Sequence, residues 1–187
     1  PIILDLNKEK AEELAEHISQ KFSVDASGYS VDITNEDQIQ ENSDYLISKY
    51  SKIDGLVNNA ANNPKVENSD QKNFSRLENF SLDAWEKDIS VGLTGAFLCC
   101  KHYGTKIYEN PYGSTILNIS SDLGLIAPDQ QLYRDESLPD ERQPVKPVTY
   151  SVTKSGLIGL TRYVATYWPL KVRCNVLCPG GVEDGQS

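Results

Sequence analysis

The sequence predicts a single α/β domain built on a doubly wound parallel sheet. Short apolar runs of strand length alternate with longer segments whose apolar residues recur at helical spacing. Over the first 57 residues the order is strand, helix, strand, helix, strand, and this rhythm favours parallel pairing through right-handed crossovers. A chain of 187 residues is long enough to bury the core of one such domain.

The individual elements follow from these patterns and from the residues that begin helices. Strands are predicted at 2–4, 29–33, 53–57, 114–119 and 172–177. Helices are predicted at 8–22, from 34 or 35 to about 50, at 81–100 and at 150–168, with Asn7, Asn35 and Ser81 as suitable N-caps. Segment 122–149 contains four prolines and many charges, which predicts a long irregular loop.

The composition excludes two classes of partner. The net charge is −9, whereas binding to a nucleic-acid backbone needs a concentrated basic surface. No apolar run approaches the roughly 20 residues that span a bilayer. We therefore expect a cytoplasmic protein with a small-molecule ligand, no nucleic acid and no membrane. The four cysteines are expected to be buried apolar residues in a reducing compartment: Cys99, Cys100, Cys174 and Cys178.

No metal site is predicted. The cysteines lack metal-ligand spacing, and neither His17 nor His102 has a partner at such a spacing.

Polar residues follow the predicted strands at the point where each strand ends. They are Asp5, Asp32, Asn58, Ser121 and the pair 179–180. Open α/β sheets bind ligands along the edge formed by the carboxyl ends of their strands. The alternative is that these residues only cap the helices that follow. Five segments on one edge favour a binding rim.

Tyr150 and Lys154 are spaced so that both lie on one face of a helix. A cation held about 4–6 Å from a phenol favours the phenolate and so brings proton transfer toward neutral pH. By itself this spacing is also typical of an ordinary helix surface.

Taken in order, these segments resemble the short-chain dehydrogenase/reductase family over nearly the whole chain. The matching pieces are Asp5, Asp32, Asn58-Asn59-Ala60-Ala61, Asn118-Ile119-Ser120-Ser121, Tyr150-x-x-x-Lys154 and Pro179-Gly180. The resemblance implies a Rossmann-like fold that binds a nicotinamide dinucleotide. It also implies that the family's first strand with its glycine-rich phosphate turn, and the C-terminal end, lie outside this sequence.

The resemblance further implies a catalytic triad of Ser121, Tyr150 and Lys154. Tyr150 would be the general acid in ketone reduction and the general base in alcohol oxidation. Lys154 would favour the phenolate and bind the nicotinamide ribose, and Ser121 would hold the substrate oxygen, with Ser120 as the alternative. Donors already aimed at that oxygen stabilise the negative charge that develops there. The implied cofactor contacts are Asp5, Asp32, Ile33, Asn58, Ala60, Tyr150, Lys154, Pro179, Gly180 and Val182.

Asp5 predicts the choice of cofactor. A carboxylate at this position accepts hydrogen bonds from the ribose hydroxyls and repels a 2′-phosphate, and Leu6 and Asn7 follow it instead of a basic residue. NAD is therefore favoured over NADP. The alternative is that Asp5 only caps the next helix.

Two features depart from the family pattern. In the family, the helix that begins near Trp85 usually carries an asparagine seven residues later, which is part of a proton relay. In this sequence that position is Gly92. The loop 128–147 is longer than the usual link between serine and tyrosine. It is either a lid over a polar or anionic substrate or a solvated, partly disordered segment. It also resembles that of bacterial members associated with surface-sugar synthesis.

The sequence therefore predicts an NAD-dependent oxidoreductase that acts on a secondary alcohol or ketone, possible substrates being a sugar or another polar metabolite. The resemblance implies a homodimer or homotetramer formed by the helix 81–100 and the helix after Tyr150. Two alternatives stay open: a nucleotide-sugar epimerase or dehydratase of the same superfamily, and a non-catalytic NAD-binding regulator. Gly92 is the feature that favours the regulator.

Overall fold

A computed structural model of the protein describes residues 1–62 and 75–181, in which five strands, all paired in parallel, alternate with helices. The strands are β1 (Ile2–Asp5), β2 (Ser27–Ser30), β3 (Gly55–Asn58), β4 (Ser114–Ile119) and β5 (Val172–Leu177). The helices are α1 (Lys8–Phe22), α2 (Glu36–Tyr50), α3 (Leu82–Ile89), α4 (Gly95–Tyr108) and α5 (Val148–Tyr167). The predicted α/β class is confirmed, and Asn7, Asn35 and Ser81 are the N-caps of α1, α2 and α3.

The second strand lies earlier in the chain than the sequence predicts. The prediction of 29–33 is wrong because β2 pairs with β1 from Ile2 opposite Ser27 to Asp5 opposite Ser30, and the pairing ends there. Gly28 allows α1 to lie directly on this strand, since a Cβ atom there would sit 2.4 Å from the carbonyl carbon of Ala11. Asp32 consequently lies in the turn that follows β2.

The strands form two sheets instead of one continuous sheet. β1 pairs with β2, and β3, β4 and β5 form a second sheet in that order. The edges of β1 and β3 face a cavity of about 780 Å³ that both strands line. The cavity lies between the two sheets.

Two apolar clusters hold the helices against the strands. One joins α2 and α4 to the first sheet through residues such as Ile39, Leu46 and Tyr103. The other joins α4 and α5 to the second sheet through Ile107 and Ile116. Cys99, Cys100 and Cys174 are buried, as predicted, whereas Cys178 is only half-buried. Burial raises the pKa of the Cys99 and Cys100 thiols to about 12. Within residues 1–62 and 75–181, no helix combines the length and apolar character needed to cross a bilayer.

The predicted helix 81–100 is interrupted by a π-helical turn. The chain runs from α3 through Ser90–Thr94 in π geometry and then into α4. A π turn adds one residue to a helical turn and is frequent at functional sites. Gly92 is at the centre of this turn.

Candidate active site

Helix α5 presents Tyr150 and Lys154 together, as their spacing predicts. Pro147 is the N-cap of the helix, and Tyr150 N–H donates to the carbonyl oxygen of Pro147 at 3.1 Å, so that Tyr150 lies in the first turn. The Lys154 ammonium lies 5.7 Å from the centre of the Tyr150 ring. At this distance an ammonium is attracted to the ring and favours a nearby negative charge.

The end of β4 and the residue after it hold both the ammonium and the backbone carbonyl of Lys154. Its ammonium donates to the carbonyl oxygen of Ile119 at 2.9 Å, and its own carbonyl accepts a hydrogen bond from Ser120 Oγ at 2.7 Å. Burial lowers the pKa of Lys154, and the positive charge of Lys146 lowers it further. An ammonium has three N–H groups, so two remain for other acceptors.

Ser121 begins a short 3₁₀ turn that packs directly on α5. Its hydroxyl donates to Asp122 Oδ1 at 2.7 Å and accepts from the backbone N–H of Leu123 at 3.2 Å. A Cβ atom at Gly124 would lie 2.8 Å from the carbonyl carbon of Lys154, so only glycine permits this close contact. The hydroxyl of the alternative candidate, Ser120, is directed at the helix backbone and is already engaged there.

A chain of side-chain hydrogen bonds supports the strand ends beneath these residues. Asn58 Nδ2 donates to Asn118 Oδ1 at 2.8 Å, and Asn118 Nδ2 donates to Thr161 Oγ1 at 2.8 Å. Asn118 is fully buried. The chain links β3, β4 and α5, so the predicted Asn58 lies at one end of an amide relay that fixes the ends of the central strands.

Four of the predicted cofactor contacts line one cavity. Asp5, Ile33, Asn58 and Ala60 all border the cavity of about 780 Å³, and so does Gly92. Asp5 Oδ1 accepts from Asn7 N–H at 2.8 Å, whereas the N-cap of α1 is Asn7 itself. Asp5 is therefore not the helix cap. Its Oδ2 accepts no hydrogen bond from the part of the chain that the structure describes.

The other predicted contacts occupy separate places. Asp32 Oδ1 accepts from both the N–H and the hydroxyl of Thr34, at 2.8 and 2.7 Å. Pro179 accepts from Asp122 N–H at 3.0 Å, which holds Pro179 and Gly180 beside the serine turn. Val182 lies outside the described residues.

Three charged or phenolic residues near Tyr150 are absent from the predicted site. The Lys146 ammonium lies 3.9 Å from the centre of the Tyr150 ring and 6.0 Å from that of Tyr133. Asp122 lies close enough to raise the pKa of Lys146, while burial, the larger effect, lowers it. Burial also raises the pKa of Tyr133, and Tyr150 and Asp122 add to this shift. The signal for Lys146 in the sequence is its place among the basic residues of the loop 128–147, for which a lid over a polar or anionic substrate is one interpretation.

The loop 128–147 is built from short 3₁₀ segments and internal hydrogen bonds. Its helical turns are Gln130–Tyr133 and Asp140–Arg142. The buried side chain of Gln143 accepts from Asp135 N–H and donates to the carbonyl oxygens of Asp135 and Leu138, all between 2.6 and 2.9 Å. These hydrogen bonds join the two halves of the loop.

At Gly92 the helix irregularity is present without the family's asparagine side chain. A Cβ atom at Gly92 would lie 3.1 Å from the Cγ2 methyl of Thr153, which sits one residue before Lys154. The Thr153 hydroxyl donates to the carbonyl oxygens of Thr149 and Tyr150. The methyl group of Thr153 thus lies where a side chain at position 92 would begin. Among the described residues no cluster of three or more His, Cys, Asp or Glu could hold a metal ion.

Comparison with known proteins places this geometry in a family. The short chain dehydrogenase model matches residues 1–133. The chain is 32% identical over 183 residues to the 3-oxoacyl-acyl-carrier-protein reductase FabG of Aquifex aeolicus, covering 97% of this chain and 63% of that protein. It is 26% identical to the NADP-dependent mannitol dehydrogenase of Hypocrea jecorina, covering 96% of this chain and 59% of that protein.

A solved structure gives the same result. NAD⁺-bound xylitol dehydrogenase superposes with a TM-score of 0.77 at 25% identity, covering 97% of this chain and 61% of that one. The chain thus spans about three fifths of the length of these relatives. The match of the family model over residues 1–133 shows that the chain belongs to the short-chain dehydrogenase family.

Proposed function

We propose that the protein is an NAD(H)-dependent oxidoreductase that interconverts a secondary alcohol and a ketone on a polar, sugar-like substrate. The observation that carries this proposal is the contact between the serine turn and α5, which holds Ser121 beside the helix that bears Tyr150 and Lys154. Family membership supports an oxidoreductase. The related mannitol and xylitol dehydrogenases support a polyol or its ketose as the substrate class.

The residues of this chain have distinct tasks in the proposed reaction. Addition of a hydride to a carbonyl carbon builds negative charge on the oxygen, and Tyr150 delivers a proton to that oxygen. Ser121 donates its hydroxyl to the same oxygen in place of Asp122 Oδ1, its acceptor in the structure, and so stabilises the developing charge. The Lys154 ammonium favours the phenolate that Tyr150 becomes. In alcohol oxidation the proton moves in the opposite direction, to Tyr150.

The hydrogen-bonding groups of Asp5 and Lys154 fit a nicotinamide dinucleotide. When bound, this cofactor supplies or accepts the hydride. Asp5 Oδ2 accepts no hydrogen bond from the described residues and is suited to ribose hydroxyl groups. Lys154 keeps two N–H groups after its bond to Ile119, and these are suited to the second ribose. One relative, the mannitol dehydrogenase, is NADP-dependent, and another, the xylitol dehydrogenase, binds NAD⁺. We propose NAD because the charge of Asp5 repels a 2′-phosphate.

Substitution of the tyrosine tests the proposal. Tyr150→Phe removes the proton donor and keeps the ring, so we expect it to bind NADH like wild type while turnover falls at least about a hundredfold. NADH binding is measured by fluorescence, and turnover by absorbance with a panel of polyols, keto sugars and simple ketones. Tyr163→Phe is the matched control, because Tyr163 is an exposed tyrosine of the same helix. Equal turnover in wild type and Tyr150→Phe would contradict the proposal.

The same panel of compounds tests the alternative that the protein is a non-catalytic NAD-binding regulator, which Gly92 favours. Full NADH binding without turnover of any panel compound would support a non-catalytic regulator.

A further inference from the structure

The segment before α5 holds the backbone of Lys146 in a fixed place beside the catalytic tyrosine. Lys146 N–H donates to Gln130 Oε1 at 2.8 Å, and Val145 N–H donates to Oγ of the buried Ser75 at 3.2 Å. Pro147, which is buried, follows immediately and is the N-cap of the helix. The root of the Lys146 side chain is therefore constrained on both sides.

The ammonium of Lys146 lies over the ring of Tyr150. It lies 3.9 Å from the centre of the Tyr150 ring, closer than the Lys154 ammonium at 5.7 Å. Tyr133 lies on its other side, with 6.0 Å between the ammonium and the ring centre. Lys146 is half-buried, so its charge has lost part of its hydration.

Lys146 forms no ion pair with any carboxylate in residues 1–62 and 75–181. The acid that influences it is Asp122, whose Oδ1 already accepts hydrogen bonds from Ser121 Oγ and Leu123 N–H. Among the described residues, two lysines and one aspartate lie in this part of the site, which makes their combined charge positive although the whole chain carries a net charge of −9. Half-buried cations are stabilised by an anionic partner, and a ligand can supply one.

We propose that Lys146 is a specificity-determining residue that binds the carboxylate of a hydroxy-acid or keto-acid substrate, a polyhydroxy acid of the sugar-acid class. The inference rests on the proposed function and narrows its substrate class. A carboxylate in contact with Lys146 lies within a few ångströms of Tyr150, because the same ammonium touches the Tyr150 ring. The substrate carboxylate is therefore attached either to the carbon next to the reacting carbon or to the carbon after that. The ring of Tyr133, with its centre 6.0 Å from the same ammonium, is part of this anion subsite.

Matched pairs of substrates test the inference. The purified protein is assayed with NAD⁺ on C4 to C6 alditols and on the aldonates of the same chain length. We expect kcat/KM to be higher for the aldonates, and the aldonate-to-alditol ratio to fall at least about tenfold in Lys146→Met, since one charge-assisted hydrogen bond is lost. Lys146→Arg keeps the charge and should keep most of the ratio. A ratio that is the same in wild type and Lys146→Met would overturn the inference.

The control is Lys171→Met, which removes an exposed lysine that also lies over a tyrosine ring, that of Tyr108, at 4.6 Å. It should leave the ratio unchanged.

A binding measurement separates this inference from the proposed function. Calorimetry follows aldonate binding to the protein saturated with NAD⁺, in wild type and in Lys146→Met. Binding that weakens at least about tenfold in the variant, without turnover of either series, supports the anion subsite and contradicts the proposed reaction. Turnover of alditols without preferential binding of aldonates supports the proposed reaction and overturns the anion subsite. Equal binding by wild type and Lys146→Met also overturns it.

Discussion

At the scale of single residues, the site is governed by two lysines on either side of one tyrosine. Lys146 and Lys154 both lie within 6 Å of the centre of the Tyr150 ring. Each is partly buried, and burial lowers the pKa of each. The positive charge of Lys146 lowers the pKa of Lys154 further.

This coupling predicts a pH effect. The pKa of Lys154 is lowered, so its ammonium loses its proton at a lower pH than an exposed lysine does, and turnover should decline on the alkaline side accordingly. Lys146→Met removes the repulsion, which raises the pKa of Lys154 and should shift the alkaline limb of the kcat profile to higher pH. The profile is measured with an uncharged alditol, and Lys171→Met should leave it unchanged. An unshifted limb in Lys146→Met would show that Lys154 does not set it.

Asp5 gives a prediction about cofactor choice. Asp5→Ser removes the negative charge that faces the cavity, so we expect the preference for NAD⁺ over NADP⁺, measured as the ratio of kcat/KM values, to fall by about tenfold or more. Asp37→Asn, which changes an exposed acid in the first turn of α2, is the control. An unchanged ratio in Asp5→Ser would mean that another group discriminates the 2′-phosphate.

At the scale of elements, the amide relay joins β3, β4 and α5. Asn118→Leu leaves Asn58 Nδ2 without its oxygen acceptor in a partly buried place, and removes a donor to Thr161. We expect the free energy of unfolding to fall by about 1–3 kcal/mol, as measured by urea denaturation. Asn175→Leu, at an exposed position on the adjacent strand β5, is the control and should change it little. Equal losses in the two variants would contradict a structural role for the relay.

The π turn and α5 meet at Gly92 and Thr153, and this contact predicts coupling between the two positions. Glycine to alanine in a helix usually stabilises by up to about 1 kcal/mol. At Gly92 the new Cβ atom would meet the Thr153 methyl group at 3.1 Å, which opposes that gain. Thr153→Ser removes the methyl and keeps the hydroxyl. Gly92→Ala should therefore be more favourable, by about 0.5–1 kcal/mol, in the Thr153→Ser background than in wild type. Thermal unfolding of the four proteins measures the difference, and additive effects would contradict the contact.

At the scale of the whole molecule, helices α4 and α5 leave apolar side chains uncovered. Phe97 of α4 is 49% exposed and Tyr163 of α5 is 64% exposed. We propose that a second copy of the chain covers these helices, giving a homodimer or homotetramer. Phe97→Glu places a charge in such an interface and should lower the molar mass measured by light scattering toward that of the monomer. Leu170→Glu, at a fully exposed position outside the helices, is the control. A monomer in wild type would contradict the proposal.

Much of this architecture could be predicted because the chain alternates clearly between strand and helix patterns. β4 and β5 were predicted at their observed bounds, where apolar runs end at sharp turns. β2 was misplaced because Val31 is buried although it lies beyond the strand, and burial alone does not distinguish a strand from the turn that follows it. The π turn was not predicted, because one added residue hardly changes the spacing of apolar residues along the helix. The proximity of Lys146 to Tyr150 could not be predicted, because it depends on how the loop folds back over Tyr150.

The double anchoring of Lys154 bears on the entropy of ligand binding. A free lysine side chain has many rotamers, and ordering it costs up to about 2 kcal/mol. In this protein the hydrogen bond to Ile119 orders the four-carbon stem when the chain folds. A ligand that binds the remaining N–H groups therefore meets a side chain that has already lost its rotational freedom.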